Sequence, residues 1–202
     1  MLTENKMISA KLQINDLHSL EDYAVKRTEF RKKVLEHKKV RRVNIGDHIT
    51  LYFESALTIQ YQIQEMLRIE KIFEKDAIRE EFDAYTPLIP DRENLKATMM
   101  IEYVDEEIRR RELVKLNGIE TKIWMQCGAN APIYAIADED LERSDGTKTS
   151  AVHFLRFNIT EKVRNSILSK DQISFGVEHP QYQVDNIIVS EETAESLAKD
   201  LG

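Results

Sequence analysis

The chain has 202 residues and a formal net charge of −7, with 42% hydrophobic and 32% charged residues, which is enough apolar material for a core and excludes a globally disordered protein. Its one cysteine, Cys127, excludes an internal disulfide, a multi-thiolate zinc site and an iron–sulfur cluster held by this chain alone. The sequence contains neither an apolar signal-peptide run nor a stretch of about 18 apolar residues, so we expect a cytoplasmic protein without a membrane span.

The first half of the sequence is predicted to be mainly helical. Apolar residues at helical spacing indicate one helix near the start and a later helical stretch, which is either one long helix or two helices with a new start capped by Asp76. If that stretch is continuous, Phe73 lies on its apolar face. In chain order these elements are a helix over 17–40, a turn over 45–47, a strand over 48–53 and the helical stretch over 58–85.

The second half is predicted to be rich in strands that alternate with short helices. Asp105, Thr160 and Ser190 are typical N-cap residues in front of three helical segments. A loop over 144–148 precedes one of the strands. The predicted strands cover 97–104, 119–127, 133–137, 150–157, 173–178 and 183–189. We therefore predict an α+β fold, with an antiparallel or mixed sheet of about five to seven strands covered by helices.

The domain organisation predicted from this pattern is a single domain over 1–202. Within it, 1–90 forms a mainly helical part and 91–202 a sheet-rich part. The segment 86–94, which contains Pro87 and Pro90, is the best candidate for a linker because proline ends helices.

Positive charge is concentrated between Lys26 and Arg42. This segment holds nine basic and two acidic residues, a net of +7, whereas the other residues hold 20 basic and 34 acidic groups, a net of −14. Such a segment is either the solvated side of a helix or a surface for nucleic acid, an acidic membrane or an acidic partner protein. Nucleic acid is the weaker alternative, because Phe30 is the only aromatic residue in the segment. The candidate partner-binding residues form a basic stripe: Lys32, Lys33, Lys38, Lys39, Arg41 and Arg42.

The sequence lacks the motifs of the common enzyme classes, which leaves open whether the protein is an enzyme. Its six glycines form no phosphate-binding loop, and no nucleophile elbow is present. Cys127 ends a predicted strand at a turn and is either a buried small residue or a nucleophile. No metal is assigned and the cofactor is unknown. Arg109, Arg110 and Arg111 form either a grip for phosphate or a partner carboxylate, or a solvated helix face.

One constellation suits a metal-dependent enzyme as an alternative. Glu70 and Glu74 lie one helical turn apart if the helix is continuous, and together with His48 or His153 they would suit manganese or iron. Arg68, Glu70 and Glu74 are therefore a candidate ligand cluster. The same glutamates would equally serve as ion-pair partners for nearby cations.

Three segments of the sequence resemble a bacterial family with an uncharacterised domain of unknown function. They cover Arg41–Glu54 (RRVNIGDHITLYFE), Tyr61–Phe73 (YQIQEMLRIEKIF) and Ala77–Tyr103, which includes AIREEFDAYTPLIPD and KATMMIEY. The resemblance implies that members are encoded close to rubrerythrin-like proteins and to iron–sulfur oxidoreductases of the heterodisulfide-reductase type. A supporting role in peroxide defence or redox metabolism is what the resemblance implies, and it brings no catalytic residues.

The function predicted from the sequence is that of an accessory protein. It binds a protein partner in redox or peroxide metabolism through the basic N-terminal helix. The alternatives are the carboxylate and histidine metal enzyme and non-specific nucleic-acid binding, and the formation of a homo-oligomer is left open.

Overall fold

The structure is a computed structural model that describes residues 12–137 and 148–202. Within this part of the chain it contains six α-helices and nine strands. The helices are α1 (Leu20–Lys39), α2 (Ala56–Glu70), α3 (Lys75–Tyr85), α4 (Glu106–Lys115), α5 (Glu161–Leu168) and α6 (Glu191–Ala198). The strands are β1 (Arg42–Ile45), β2 (Ile49–Phe53), β3 (Asn94–Ile101), β4 (Ile123–Cys127), β5 (Ile133–Tyr134), β6 (Ile136–Ala137), β7 (Val152–Asn158), β8 (Ile173–His179) and β9 (Tyr182–Ile188).

The strands form two antiparallel sheets, which confirms the predicted α+β class. Sheet A has the order β1-β2-β3-β7-β6, and sheet B has the order β5-β4-β8-β9. We expected one sheet with a single strand over 133–137. That segment instead changes sheet at Ala135, because Ile133 and Tyr134 pair with β4 whereas Ile136 and Ala137 pair with β7.

One hydrophobic core lies between the inner faces of the two sheets. Leu51, Phe53 and Met99 of sheet A and Met125 and Phe175 of sheet B are each at most 1% exposed. The ring centroids of Phe53 and Phe175 are 5.2 Å apart, a distance typical of favourable aromatic pairs. Burial alternates along β3 and β7, whereas β2, β4 and β8 are buried at almost every position, so β3 and β7 show the two-residue period most clearly.

A smaller apolar cluster supports the helical part of the chain. Ile59, Ile63 and Leu67 of α2 are its buried centre, and Ile78 and Phe82 of α3 pack against it. Leu20 of α1 packs against the same cluster, so that α1, α2 and α3 share one set of apolar contacts.

Two local details differ from the pattern predicted from the sequence. The residues before the turn at 45–47 form the edge strand β1, which pairs with β2. The helical stretch consists of two helices, which is one of the two predicted alternatives. The break lies at Lys71, which has a left-handed φ of 56°, and α3 starts after Glu74 rather than at Asp76. Phe73 is therefore 69% exposed instead of lying on an apolar helix face.

The predicted loop over 144–148 lies outside the described residues except for Lys148. The three predicted N-caps are confirmed, because the side chains of Asp105, Thr160 and Ser190 each accept a hydrogen bond from the backbone three residues later. The single-domain organisation stays a prediction. Sheet A uses residues on both sides of position 90, since β2 pairs with β3.

Candidate partner-binding site

The helix α1 is anchored by a narrow strip of its surface. Ser19 caps it by accepting a hydrogen bond from the backbone N–H of Asp22, and only Tyr23 and Val34 are buried among its 20 residues. Most of the surface of α1 is therefore exposed. The helix is held against the rest of the protein by the contacts of a few residues that include Tyr23 and Val34.

A polar network around Glu65 of α2 attaches α1. The Glu65 carboxylate accepts hydrogen bonds from the hydroxyl of Tyr23 at 2.7 Å and from Nε and Nη2 of Arg27 at 2.8 Å. The charged bonds from Arg27 lower the pKa of Glu65 to about 2, against the opposing effect of burial. Glu65 therefore stays ionised, and it neutralises one of the nine cations of the basic segment.

A second cation, Arg41, is fully buried, which corrects its assignment to the partner-binding set. Its Nε donates to the carbonyl of Phe53, Nη1 to the carbonyl and hydroxyl of Ser196, and Nη2 to the carbonyl of Glu54 and to Asp200. The side chain is 2% exposed. All of its donor atoms are satisfied inside the protein, so it joins α6 to the end of β2 instead of meeting a partner.

The remaining cations are exposed except for Lys38, which is half-buried beside the ring of Tyr61, and they do not form a stripe. Consecutive side chains on a helix point about 100° apart, so Lys32 and Lys33 occupy different sides of α1, as do Lys38 and Lys39. Lys39 forms an exposed ion pair with Glu36. Arg42 lies on β1, where it donates to Asn44 and faces the ring of Tyr52 at 6.0 Å.

Six cations of this segment form no ion pair with any residue of the described chain. We call them the α1 cation set: Lys26, Arg31, Lys32, Lys33, Lys38 and Arg42. They surround the exposed part of the helix and continue onto the edge strand of sheet A. Of the predicted partner-binding residues, Lys32, Lys33, Lys38 and Arg42 belong to this set.

The candidate ligand cluster is not assembled. Arg68 contacts Glu65 at 3.4 Å, while Glu70 ends α2 and Glu74 precedes α3, and both of these glutamates are exposed. Within residues 12–137 and 148–202, no group of three or more His, Cys, Asp or Glu side chains is arranged to hold a metal ion.

The two histidines considered as further ligands have other contacts. His48 stacks on Tyr103 with ring centroids 4.0 Å apart, and its Nδ1 lies 3.1 Å from the carbonyl of Glu102. His153 is buried, with Nε2 2.7 Å from the hydroxyl of Thr149. The predicted carboxylate and histidine site is therefore not formed by these residues.

Cys127 is buried in the core, which fits its interpretation as a small core residue. Burial, with a contribution from Asp171, raises the pKa of its thiol to about 11. Because the thiolate is the nucleophilic form, this environment is unsuited to nucleophilic chemistry at neutral pH.

The residues around Arg41 could not be identified from the sequence. Ser196 and Asp200 lie 155 and 159 residues away from it, and His37 approaches the same region from α1. No local pattern indicates such contacts, since each of these residues is an ordinary member of its own segment.

Comparisons with known proteins agree with an uncharacterised domain. A family profile described as "Protein of unknown function (DUF3501)" matches residues 11–201. No curated protein matches the chain. The chain is similar to the crystal structure of a protein of unknown function from Burkholderia pseudomallei K96243, with 47% sequence identity and a TM-score of 0.91, covering 96% of this chain and 100% of that chain.

Among the described helices, none combines the length and apolarity that crossing a membrane requires. The family match covers nearly the whole chain and includes the three segments on which the resemblance was based. The chain therefore belongs to the family of proteins of unknown function DUF3501.

Proposed function

We propose that the protein is a cytoplasmic accessory protein that binds an acidic partner protein through the α1 cation set. The observation that carries the proposal is that these six cations have no ion pair within the described part of the chain, although the molecule as a whole has a net charge of −7. Cations that form no ion pair within the described residues of α1 and β1 keep their charge available for an intermolecular contact.

The charge distribution favours one orientation of the complex. An acidic partner is attracted to the +7 segment and repelled by the rest of the chain, which carries −14. Such asymmetry increases the association rate and selects the docking face, more than it adds to the final affinity. The burial of Arg41 reduces the available charge but leaves the sign of this surface unchanged.

The family resemblance suggests the kind of partner. Its implied neighbours are rubrerythrin-like proteins and iron–sulfur oxidoreductases of the heterodisulfide-reductase type, so we propose a partner from redox or peroxide metabolism. No residue of the described chain is assigned to catalysis in this proposal.

The proposal is tested by biolayer interferometry with a purified rubrerythrin-like protein and a purified iron–sulfur oxidoreductase of the same organism. Measurements at about 0.01 M and about 1 M salt compare Debye lengths of roughly 30 and 3 Å. We expect binding at low salt that is lost at high salt. Lys32→Glu with Lys33→Glu should weaken it about tenfold, equal to roughly 1.4 kcal/mol.

Lys122→Glu with Lys162→Glu is the matched control, because both lysines are exposed outside the basic segment and the change in net charge is the same. If neither protein binds at low salt, or if the two double variants bind equally, the proposal is wrong. Binding of a mixed-sequence oligonucleotide in place of both proteins would favour the nucleic-acid alternative.

A further inference from the structure

The helix α4 has aliphatic side chains that remain exposed on the folded chain. Ile108 is 42% and Val114 53% exposed, and Val104, just before the helix, is fully exposed. Leu113 and Leu116 occupy the other side of the helix and pack on the core between the sheets. Exposed aliphatic residues that are grouped around one short helix indicate a contact surface, whereas single exposed residues do not.

Charged residues on the outer side of α4 have complementary signs along the helix. At about 100° per residue, Glu107 and Arg111 point away from the side that Leu113 and Leu116 define. The first turn is acidic, with Glu106 and Glu107, and the following turns are basic. Although Glu107 and Arg111 are four residues apart, neither forms an ion pair in the described chain.

We infer that α4 is a self-association surface that binds a second copy of this chain as an antiparallel, two-fold symmetric helix pair. In such a pair every contact occurs twice, and an acidic start facing a basic end is self-complementary. The register that places Glu107 beside Arg111 of the second copy also brings Val104 to the level of Val114 of that copy. Ion pairs then lie at the centre of the seam, with Ile108 beside them and valines towards both ends.

The surface is small, which sets the expected strength of the dimer. A ten-residue helix is about 15 Å long, so the contact falls at the low end of specific interfaces, and we expect a dissociation constant on the order of 100 µM. A second copy is the favoured occupant, because it necessarily presents both charges in the required order.

This surface is independent of the proposed partner-binding site. Helix α1 enters sheet A at Arg42, which pairs with Tyr52 at the far end of β2, whereas α4 follows Ile101, which pairs with Ile49 at the start of β2. The two helices therefore flank opposite ends of the sheet A strands. A dimer formed through α4 leaves the α1 cation set free in both copies.

Sedimentation equilibrium of the full chain between about 10 and 500 µM tests the inference. The unmodified protein should show a monomer–dimer equilibrium in this range. Arg111→Glu should weaken association at least tenfold, because it opposes carboxylates across the seam. Glu107→Arg combined with Arg111→Glu should restore it, because the reversed pair is again complementary.

Mixing the two single variants provides a matched check. Glu107→Arg alone and Arg111→Glu alone should each associate at least tenfold more weakly than the unmodified protein. An equimolar mixture of the two should dimerise like the unmodified protein, because one copy then presents two arginines and the other two glutamates. Both residues are exposed, so the variants should retain the unmodified fold. A monomer at every concentration, or association that Arg111→Glu leaves unchanged, would overturn the inference.

Discussion

Arg41 and Arg42 are neighbours in the chain, but their positions in the fold give their charges different environments. Both belong to the same basic segment, yet one guanidinium is buried with Ser196 and Asp200 and the other is exposed on an edge strand. Burial raises the pKa of Asp200, and the charge of Arg41 opposes that rise. The buried ion pair between Arg41 and Asp200 links α6 to sheet A, and removing either side chain leaves the other without its charged partner.

This contrast predicts different costs for the same substitution. Arg41→Met should lower the free energy of unfolding by about 3–5 kcal/mol, because it leaves the Asp200 carboxyl and several carbonyls buried without their donor. Arg42→Met should change it by less than about 1 kcal/mol, since its contacts are exposed. Urea unfolding followed by fluorescence measures both variants, and equal effects would contradict the buried role of Arg41.

His37 predicts a pH dependence of stability near the same network. Burial lowers its pKa to about 4, with further contributions from Arg41, Lys199, Lys33 and Lys38, and its Nε2 lies 2.9 Å from the hydroxyl of Ser55. The unfolded chain binds a proton near pH 6.5, so between about pH 6.5 and pH 4 the unfolded state holds more protons than the folded state.

The contribution of His37 to stability is therefore present above about pH 6.5 and is lost as the pH falls towards 4. We expect a loss on the order of 1 kcal/mol between pH 7 and pH 5, reduced by the partial exposure of the side chain. Urea unfolding at both pH values measures it. His37→Gln should remove this part of the pH dependence, and an unchanged slope would assign the effect to other groups.

At the scale of elements, the turn between β1 and β2 depends on a single glycine. Gly46 has φ 67°, and a Cβ atom there would lie 2.5 Å from the hydroxyl oxygen of Tyr182. That hydroxyl donates to the carbonyl of Ile45 at 2.7 Å and accepts from the backbone N–H of His48 at 3.1 Å. The turn of sheet A is thus held by a side chain of sheet B.

A comparison of two glycines separates backbone strain from this contact. Gly46→Ala should destabilise the protein by about 2–4 kcal/mol, because it adds a clash to the left-handed strain. Gly118→Ala should cost only about 1 kcal/mol, since φ is 84° there and no atom lies within 4 Å of the added Cβ. Thermal unfolding compares the two, and equal shifts of Tm would exclude a role of Tyr182 in the difference.

Elements defined by local chemistry could be predicted from the sequence. The caps at Asp105, Thr160 and Ser190 act within three residues, so each helix start was visible. By contrast, β1 is short and becomes a strand through pairing with β2. The break at Lys71 was hidden because a lysine, not a glycine, takes the left-handed conformation.

At the scale of the whole molecule, the class was predictable but the arrangement of the strands was not. Alternating apolar residues indicate strands, whereas the change of sheet at Ala135 depends on which neighbours become available in three dimensions. The candidate site was likewise predictable only where it depends on local sequence. The charge of α1 was visible in the sequence, but the removal of Arg41 from the surface required Asp200, 159 residues away.

The predicted single domain can be tested by dividing the chain at position 90. A fragment of residues 91–202 keeps seven strands but loses β1 and β2, with core residues such as Leu51 and Phe53. We expect this fragment to lack a cooperative unfolding transition, because β3 loses its pairing with β2 and becomes an edge strand, and the core is open.

Trp124 is the only tryptophan and lies in sheet B, so its fluorescence reports on the fragment and on the full chain alike. The full chain should unfold in urea with one sigmoidal transition. A fragment that unfolds cooperatively at the same urea concentration would show that the sheet-rich part is an independent domain.

The contact between Arg41 and Asp200 also bears on how fast the protein reaches its native state. It closes a loop of 159 residues, and sheets A and B add further pairings between distant segments. Chains dominated by such distant contacts fold in milliseconds to seconds, more slowly than helical bundles. We therefore expect α6 to dock in a late folding step. The end of β2, whose carbonyls accept hydrogen bonds from Arg41, must form first.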